Sequence, residues 1–399
     1  MGKIKEISNR KLLGIAGLGW LFDAMDVGIL SFIIAALQKE WQLSAQQMGW
    51  IGSVNSIGMA VGALLFGILA DKIGRKSVFI ITLLLFSVGS GLTAFSTTLT
   101  VFLILRFCIG MGLGGELPVA STLVSESVAA HERGKIVVLL ESFWAGGWLI
   151  AALISYFIIP TYGWQTAMVL SAIPAFYALY LRWSLPDSPQ FQKVKQKQSA
   201  FANIKAVWSG EYRRATIMLW ILWFCVVFSY YGMFLWLPSV LVLKGFSLIK
   251  SFQYVLIMTF AQLPGYFTAA WFIERFGRKF VLVTYLLGTA CSAYFFGAAD
   301  SVVTLMIAGM LLSFFNLGAW GALYAYTPEQ YPTVIRGTGA GMAAAFGRIG
   351  GILGPLLVGY LVATHASLTY IFTIFCMAIV IGVLAVLVLG KETKQRELA

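Results

Sequence analysis

Apolar runs alternate with short polar clusters from Lys11 to Gly390. A helix needs roughly 20 apolar residues to cross a bilayer, and the runs meet that length again and again. The pattern predicts twelve spans, near 12–37, 45–70, 77–96, 100–123, 136–159, 165–185, 215–243, 249–273, 280–298, 302–326, 338–363 and 367–390. An all-α membrane protein follows. The segment 186–214 interrupts the series: Pro186, Pro189, Lys193, Lys195 and Lys197 make it too polar to cross. It is read as a cytoplasmic linker, with room for an amphipathic helix lying on the membrane surface. It separates two six-helix bundles, residues 1–185 and 215–399.

The halves repeat one another. The turn at Asp71, Gly74 and Arg75 recurs at Glu274, Gly277 and Arg278, each pair 203 positions apart. Glu126, Arg133 and Gly134 recur with the same offset as Glu329, Arg336 and Gly337. Parallel repeats in an apolar chain are a transporter signature.

Composition supports the membrane reading. Of 399 residues, 59% are apolar and 11% charged, against about 25% charged in soluble domains. The net charge of +12 does not indicate nucleic acid, because the basic residues form short clusters between spans, as orientation signals do. Lys39, Lys244 and Lys250 fall on one side, Arg106 and Arg348 within spans, and the other Lys and Arg on the opposite side. Both termini are therefore expected in the cytoplasm. The first run lacks a small-residue cleavage site, so a retained helix is expected rather than a signal peptide. Cys108, Cys225, Cys291 and Cys376 lie inside apolar runs without metal-ligand spacing, and read as small buried hydrophobes. No metal or cofactor is expected. The two histidines, His131 and His365, lie near span ends, which leaves no buried His-based nucleophile pair for an enzyme.

The chemistry lies in the charges within spans. Asp23 and Asp26 are three apart, on one face of the first helix. A carboxylate at mid-membrane costs about 2.5–3.5 kcal/mol on the milder insertion scale, so this face needs a cavity, a cation or a proton. Burial and a neighbouring carboxylate both favour a protonated carboxyl group, the property a proton carrier needs. Arg106, in the fourth span, lies at the depth of Asp26 and cannot shed its charge; Asp23 or Asp26 is its expected partner, either permanently or in exchange with substrate. The glycines at 110, 112, 114 and 115 allow a helix or a ligand close to this backbone. Glu116 and Glu141 lie toward the cytoplasmic side as further proton-coupling candidates, although Glu141 is shallow enough to snorkel or pair with a loop cation. Arg348, in the eleventh span, is the leading substrate-anchor candidate: no acidic residue lies deep in the second half, so an anion is expected to come to it, either the substrate or a carboxylate of the first half.

Spans seven and ten are aromatic. Trp220, Trp223 and Trp236 read as interfacial anchors or packing. Tyr230, Tyr231, Trp320 and Tyr324 are placed to line a cavity and stack on a flat ligand. Asn316 is a polar substrate candidate beside them; Asn55 and Gln262 read as helix-to-helix bonds.

The Asp71 and Glu274 turns resemble the loop signature of the major facilitator superfamily, with Ala270 where the second copy wants Gly. Pro186-Asp187-Ser188-Pro189 and Pro328-Glu329-Gln330-Tyr331-Pro332 resemble the sugar-porter branch. Asp23-Ala24-Met25-Asp26 resembles the first helix of aromatic-acid/proton symporters, and Arg348-Ile349-Gly350 resembles the eleventh span of organic-ion carriers. The chain as a whole looks most like the bacterial niacin permease group. This resemblance implies two six-helix bundles, a central site open alternately to each side, and a monomer in the cell membrane. It also implies gating clusters of Asp71, Arg75, Glu126 and Arg133 in the first half, and of Glu274, Arg278, Glu329 and Arg336 in the second. The expected activity is import of a small aromatic acid, niacin, by proton symport. A sugar carrier and an exporter of metabolites or drugs are the rival readings.

Overall fold

A computed structural model describes residues 9–73, 75–127, 133–174, 176–177, 180 and 200–394. The first half runs through α1 (Asn9–Glu40), α2 (Ala45–Ile73), α3 (Arg75–Thr93), α4 (Leu99–Ser127) and α5 (Arg133–Leu170). After a short α6 (Ala200–Val207), the second half runs through α7 (Arg213–Phe234), α8 (Leu237–Leu243), α9 (Leu248–Phe260), α10 (Gln262–Phe276), α11 (Arg278–Gly297), α12 (Val302–Glu329), α13 (Thr333–Ala363) and α14 (Leu368–Leu389). Among the described residues nine helices are long and apolar enough to cross a membrane, and two shorter apolar ones join them.

Hydrocarbon dictates this outcome. A chain with no water to bond its backbone must satisfy every N–H and C=O within its own helices. Large apolar side chains such as Leu64, Phe95, Ile104, Phe157 and Val303 face outward, uncovered, as lipid contact requires.

The spans differ from a uniform set in three places, each with a local cause. The fifth and sixth spans form one helical stretch bent at Gly163, whose φ of 82° only glycine adopts without strain. The seventh breaks after Phe234 into α7 and α8, with Pro238 in the first turn of α8. The eighth breaks at Ala261 into α9 and α10. Most of the expected linker lies outside the described residues, apart from α6 and the turn after it.

The two ends of the molecule are built differently. At the end where α1 meets α2, helices open on hydroxyl caps. Ser44 caps α2 reciprocally with Gln47, and Ser247, Ser301 and Ser367 accept backbone N–H bonds at the starts of α9, α12 and α14. The opposite end carries the charged turns. Gly277, with φ of 98°, turns the chain between α10 and α11.

The halves meet mainly through α2 against α13, and α5 against α9, α10 and α12. Near the capped end α2 and α13 approach to backbone distance. A β-carbon on Gly49 would lie 2.7 Å from the Pro355 carbonyl oxygen, and one on Gly359 would lie 2.6 Å from that of Ala45. Ser53 donates to the Ile352 carbonyl across the same seam at 2.6 Å. Gly49→Leu therefore wedges this end apart. Overpacking of this kind costs about 1–3 kcal/mol, a shift of roughly 5–150-fold between open and closed populations. Thiol labelling at Ser53→Cys reports it: labelling accelerates in the Gly49→Leu background, and an unchanged rate means the seam is not closed by this contact.

Candidate ligand cavity

Between the halves lies a small cavity. Trp20 of α1 and Glu141 and Trp144 of α5 form one wall; Tyr230 and Tyr231 of α7, Tyr266 of α10, Trp320 and Tyr324 of α12 and Arg348 of α13 form the other. Helical spacing explains the selection. Glu141 and Trp144 are three apart, and Trp320 and Tyr324 four apart, so each pair shares a face.

The rings hold one another. Tyr230 meets Trp320 edge-on with centroids 5.4 Å apart; Trp320 stacks on Tyr324 at 5.8 Å; Trp20 meets Tyr324 edge-on at 5.9 Å across the two halves. Contacts of this geometry are worth about 0.5–1.5 kcal/mol each beyond the area they bury. The Trp144 indole donates to the Tyr230 hydroxyl at 2.8 Å, again across the halves. The result is a stiff, flat-walled slot with few polar atoms.

Two charges interrupt it. Arg348 is half-buried, and its Nη1 donates to the Tyr231 hydroxyl at 3.3 Å and reaches the Met59 sulfur at 3.7 Å. Both partners are neutral. Glu141 is 3% exposed, and its Oε1 has no hydrogen-bond partner. The Trp20 indole lines the same cavity, and its Nε1 has no hydrogen-bond partner among the described residues. Neither Arg348 nor Glu141 forms an ion pair among the described residues.

Arg106 lies elsewhere. It is fully buried beside the cavity wall rather than in it, and its Nη2 meets Asp26 Oδ2 at 2.8 Å. Its Nη1 reaches Asp26 Oδ1 at 3.4 Å, and Nη2 also donates to Asn55 Oδ1 at 2.9 Å. Ser90 donates to Asp26 Oδ1 at 2.8 Å. One node thus ties α1, α2, α3 and α4. The span-four glycines serve helix packing here: Gly110 and Gly114 face the α2 backbone, and Gly112 faces α3. Asn316 is buried in α12 and does not line the cavity. Asp23 is buried three residues from Trp20, on that face of α1.

At the charged end, Arg278 bonds Glu274 at 3.0 Å and Glu329 at 3.2 Å. Residues after the last helix close over this pair. Glu392 accepts the backbone N–H groups of Arg278 and Lys279 at the start of α11, at 2.9 and 3.0 Å, and Thr393 donates to Glu329 at 2.6 Å. The Arg336 guanidinium donates to the Pro328 and Tyr331 carbonyls. These bonds brace the second half internally. The side chains of Asp71, Arg75, Glu116, Glu126 and Arg133 lie outside the described residues.

Trp20, Trp144 and Tyr266 are cavity residues that sequence reasoning did not select. A signal existed for two: Trp20 stands three residues before Asp23, and Trp144 three after Glu141. Glu141, read as shallow enough to snorkel, is instead enclosed by the facing half.

A sequence profile of the Major Facilitator Superfamily matches residues 16–265 and 254–399. A Bacillus subtilis protein named as a putative niacin/nicotinamide transporter, NiaP, is 71% identical over 100% of both chains. The niacin transporter NiaP of Acinetobacter baylyi is 47% identical over 97% of this chain and 95% of its own. Among solved structures, the partially occluded inward-open form of the xylose transporter XylE from E. coli superposes with a TM-score of 0.78. It covers 97% of this chain and 99% of its own at 19% identity, a likeness of fold alone.

The central ion pair yields a stability prediction. Asp26→Ala leaves a buried guanidinium without its counter-ion, which costs about 3–5 kcal/mol. Thermal unfolding in detergent shows this as a large fall in Tm, and Arg106→Met added to Asp26→Ala recovers most of it. Unchanged stability in Asp26→Ala means the node does not hold the half together.

Proposed function

The chain belongs to the Major Facilitator Superfamily, and on that premise we propose that it imports niacin, as nicotinate, by proton symport with alternating access. Its relatives are named as transporters, so it is a membrane transporter and not an enzyme.

The observation that carries the substrate class is Arg348. A guanidinium held only by neutral partners opens on a slot walled by aromatic rings. A planar aromatic carboxylate answers both features: its carboxylate meets Arg348, and its ring lies against Tyr230, Trp320 and Tyr324. The names of the two NiaP relatives support the same reading. A sugar is a poorer match, because sugar sites use several amides, and no Asn or Gln side chain lines this slot among the described residues.

Asp23 is the proposed proton carrier. It shares a helix face with Trp20 of the cavity, whereas both oxygens of Asp26 accept from Arg106 and Ser90. In the proposed cycle a proton and nicotinate enter from outside with the capped end open. The halves (1–185 and 215–399) then rock about the cavity, and both ligands leave at the cytoplasmic, charged end. The motif charges there, Asp71, Arg75, Glu126 and Arg133 with Glu274, Arg278, Glu329 and Arg336, are proposed to make and break pairs in that motion at modest cost. Both termini are placed in the cytoplasm and the protein in the cell membrane.

Uptake of radiolabelled nicotinate into proteoliposomes tests the reading. An inward proton gradient is expected to raise uptake. Arg348→Ala is expected to lower it by about 30-fold or more, since loss of a buried charged partner costs about 2–5 kcal/mol. Flux of a sugar or a cationic drug without nicotinate uptake overturns the proposal. Coupling is tested separately: in Asp23→Asn the stimulation by the gradient disappears while nicotinate still binds. Full gradient-driven uptake in Asp23→Asn removes Asp23 from the proton path.

A further inference from the structure

The cavity holds two groups of opposite charge that do not meet each other. Arg348 has a place in the proposed function. Glu141 is an ionisable side chain from the opposite half, 3% exposed, on the same cavity, with Oε1 unbonded. Leaving such an oxygen unsatisfied costs about 1–3 kcal/mol, and the groups nearby do not repair it. Among the described residues no hydrogen bond reaches this oxygen, although Trp20, Tyr266 and Tyr324 line the same cavity.

We infer that Glu141 is a specificity-determining residue that reads the ring nitrogen of a pyridine carboxylate whose carboxylate group is held by Arg348. The inference rests on the proposed substrate reading and adds to it which aromatic acid fits. Nicotinate carries two polar features, a carboxylate and a basic ring nitrogen, in a meta relation on one flat ring. The cavity carries the two matching groups on opposite walls.

One proton serves the contact in either arrangement. A carboxylic acid donates to a neutral pyridine nitrogen, or a pyridinium N–H donates to a carboxylate. Each leaves the same N···H···O unit and the same net charge, so recognition does not depend on which partner keeps the proton. Benzoate has the same shape and the same carboxylate but presents a C–H at that position. It leaves Glu141 as unsatisfied as in the empty cavity. A site built to bond a ligand polar group rejects an isostere lacking that group far more strongly than an apolar pocket does. The contact also crosses the halves: Glu141 stands on α5 and Arg348 on α13, so a ligand held by both links them.

The test is inhibition of radiolabelled nicotinate uptake by unlabelled nicotinate and by benzoate, in proteoliposomes of the full chain. Nicotinate is expected to inhibit the wild-type protein at concentrations about 10-fold or more below those of benzoate. In Glu141→Leu the two are expected to become nearly equal, because nicotinate weakens while benzoate does not. Glu141→Gln is expected to keep the preference, since its amide donates to a neutral ring nitrogen. A preference for nicotinate that survives in Glu141→Leu overturns the inference and leaves the proposed function standing. Equal inhibition by the two acids in the wild-type protein overturns it without any variant, so a Glu141→Leu protein that fails to fold does not shield it. Absence of nicotinate uptake by the wild-type protein overturns the substrate reading, and this inference with it.

Discussion

A buried ion pair fixes the first half. Asp26 and Arg106 are both fully enclosed, where an unpaired charge costs several kcal/mol. The pair is tolerable only because geometry and extra bonds satisfy it: a two-pronged contact, Asn55 on the guanidinium and Ser90 on the carboxylate. Each partner sits on a different helix. Any relative shift of α1, α2, α3 or α4 exposes a charge to hydrocarbon. That penalty makes the bundle move as a body, and rigid bodies are what a rocking transporter requires.

The second half reaches stiffness by another route. Its described ion pairs lie at the membrane edge and join α10, α11 and α12 with the segment after α14. Within the membrane its buried residues are mainly aromatic and apolar, with polar side chains such as Gln262 and Asn316 among them. The cavity sits where the two solutions meet. One side is supported from behind by a paired charge, and the other presents an arginine whose partners are neutral. A ligand anion at the proposed site would therefore meet Arg348 and not Arg106, although both cations lie in the membrane. Their pairing separates them, not their depth.

Much of this was legible in the chain. The spans followed from run lengths, because hydrocarbon imposes helices on any sequence that crosses it. The partnership of Arg106 with an aspartate of α1 followed from depth and from the permanence of the guanidinium charge. Arg348 stood out because its own half offers no deep acid. Tyr230, Tyr231, Trp320 and Tyr324 followed from their central positions in aromatic spans. What the sequence withheld depends on the facing half. Glu141 lies near the end of its span when counted along the chain, yet Tyr266 and Tyr324 of the other half close over it. The breaks after Phe234 and at Ala261 fall inside apolar runs, with Pro238 and Pro264 in the turns that follow as their trace in the sequence. The seal from Glu392 and Thr393 over Arg278 joins parts of the chain more than a hundred residues apart, which periodicity does not report.

The two ends of the interface differ in what holds them, and the difference bears on the direction of proposed motion. At the capped end α2 and α13 touch backbone to backbone at Gly49 and Gly359, with Ser53 bonded across. Such a seam is apolar and short-range; it loses its attraction within an ångström or so of separation. It acts as a latch that is either closed or open. The described ion pairs at the charged end lie within the second half and do not cross the interface; the motif charges proposed to pair there would attract over a longer range and be screened by water and salt as they separate. In the proposed cycle, a latch at one end and softer charges at the other would give the rocking two distinct resting states. In the proposed cycle, a ligand that joins Glu141 on one half to Arg348 on the other would draw the walls together irrespective of which end is shut, so that the contacts proposed to select it would also favour its passage.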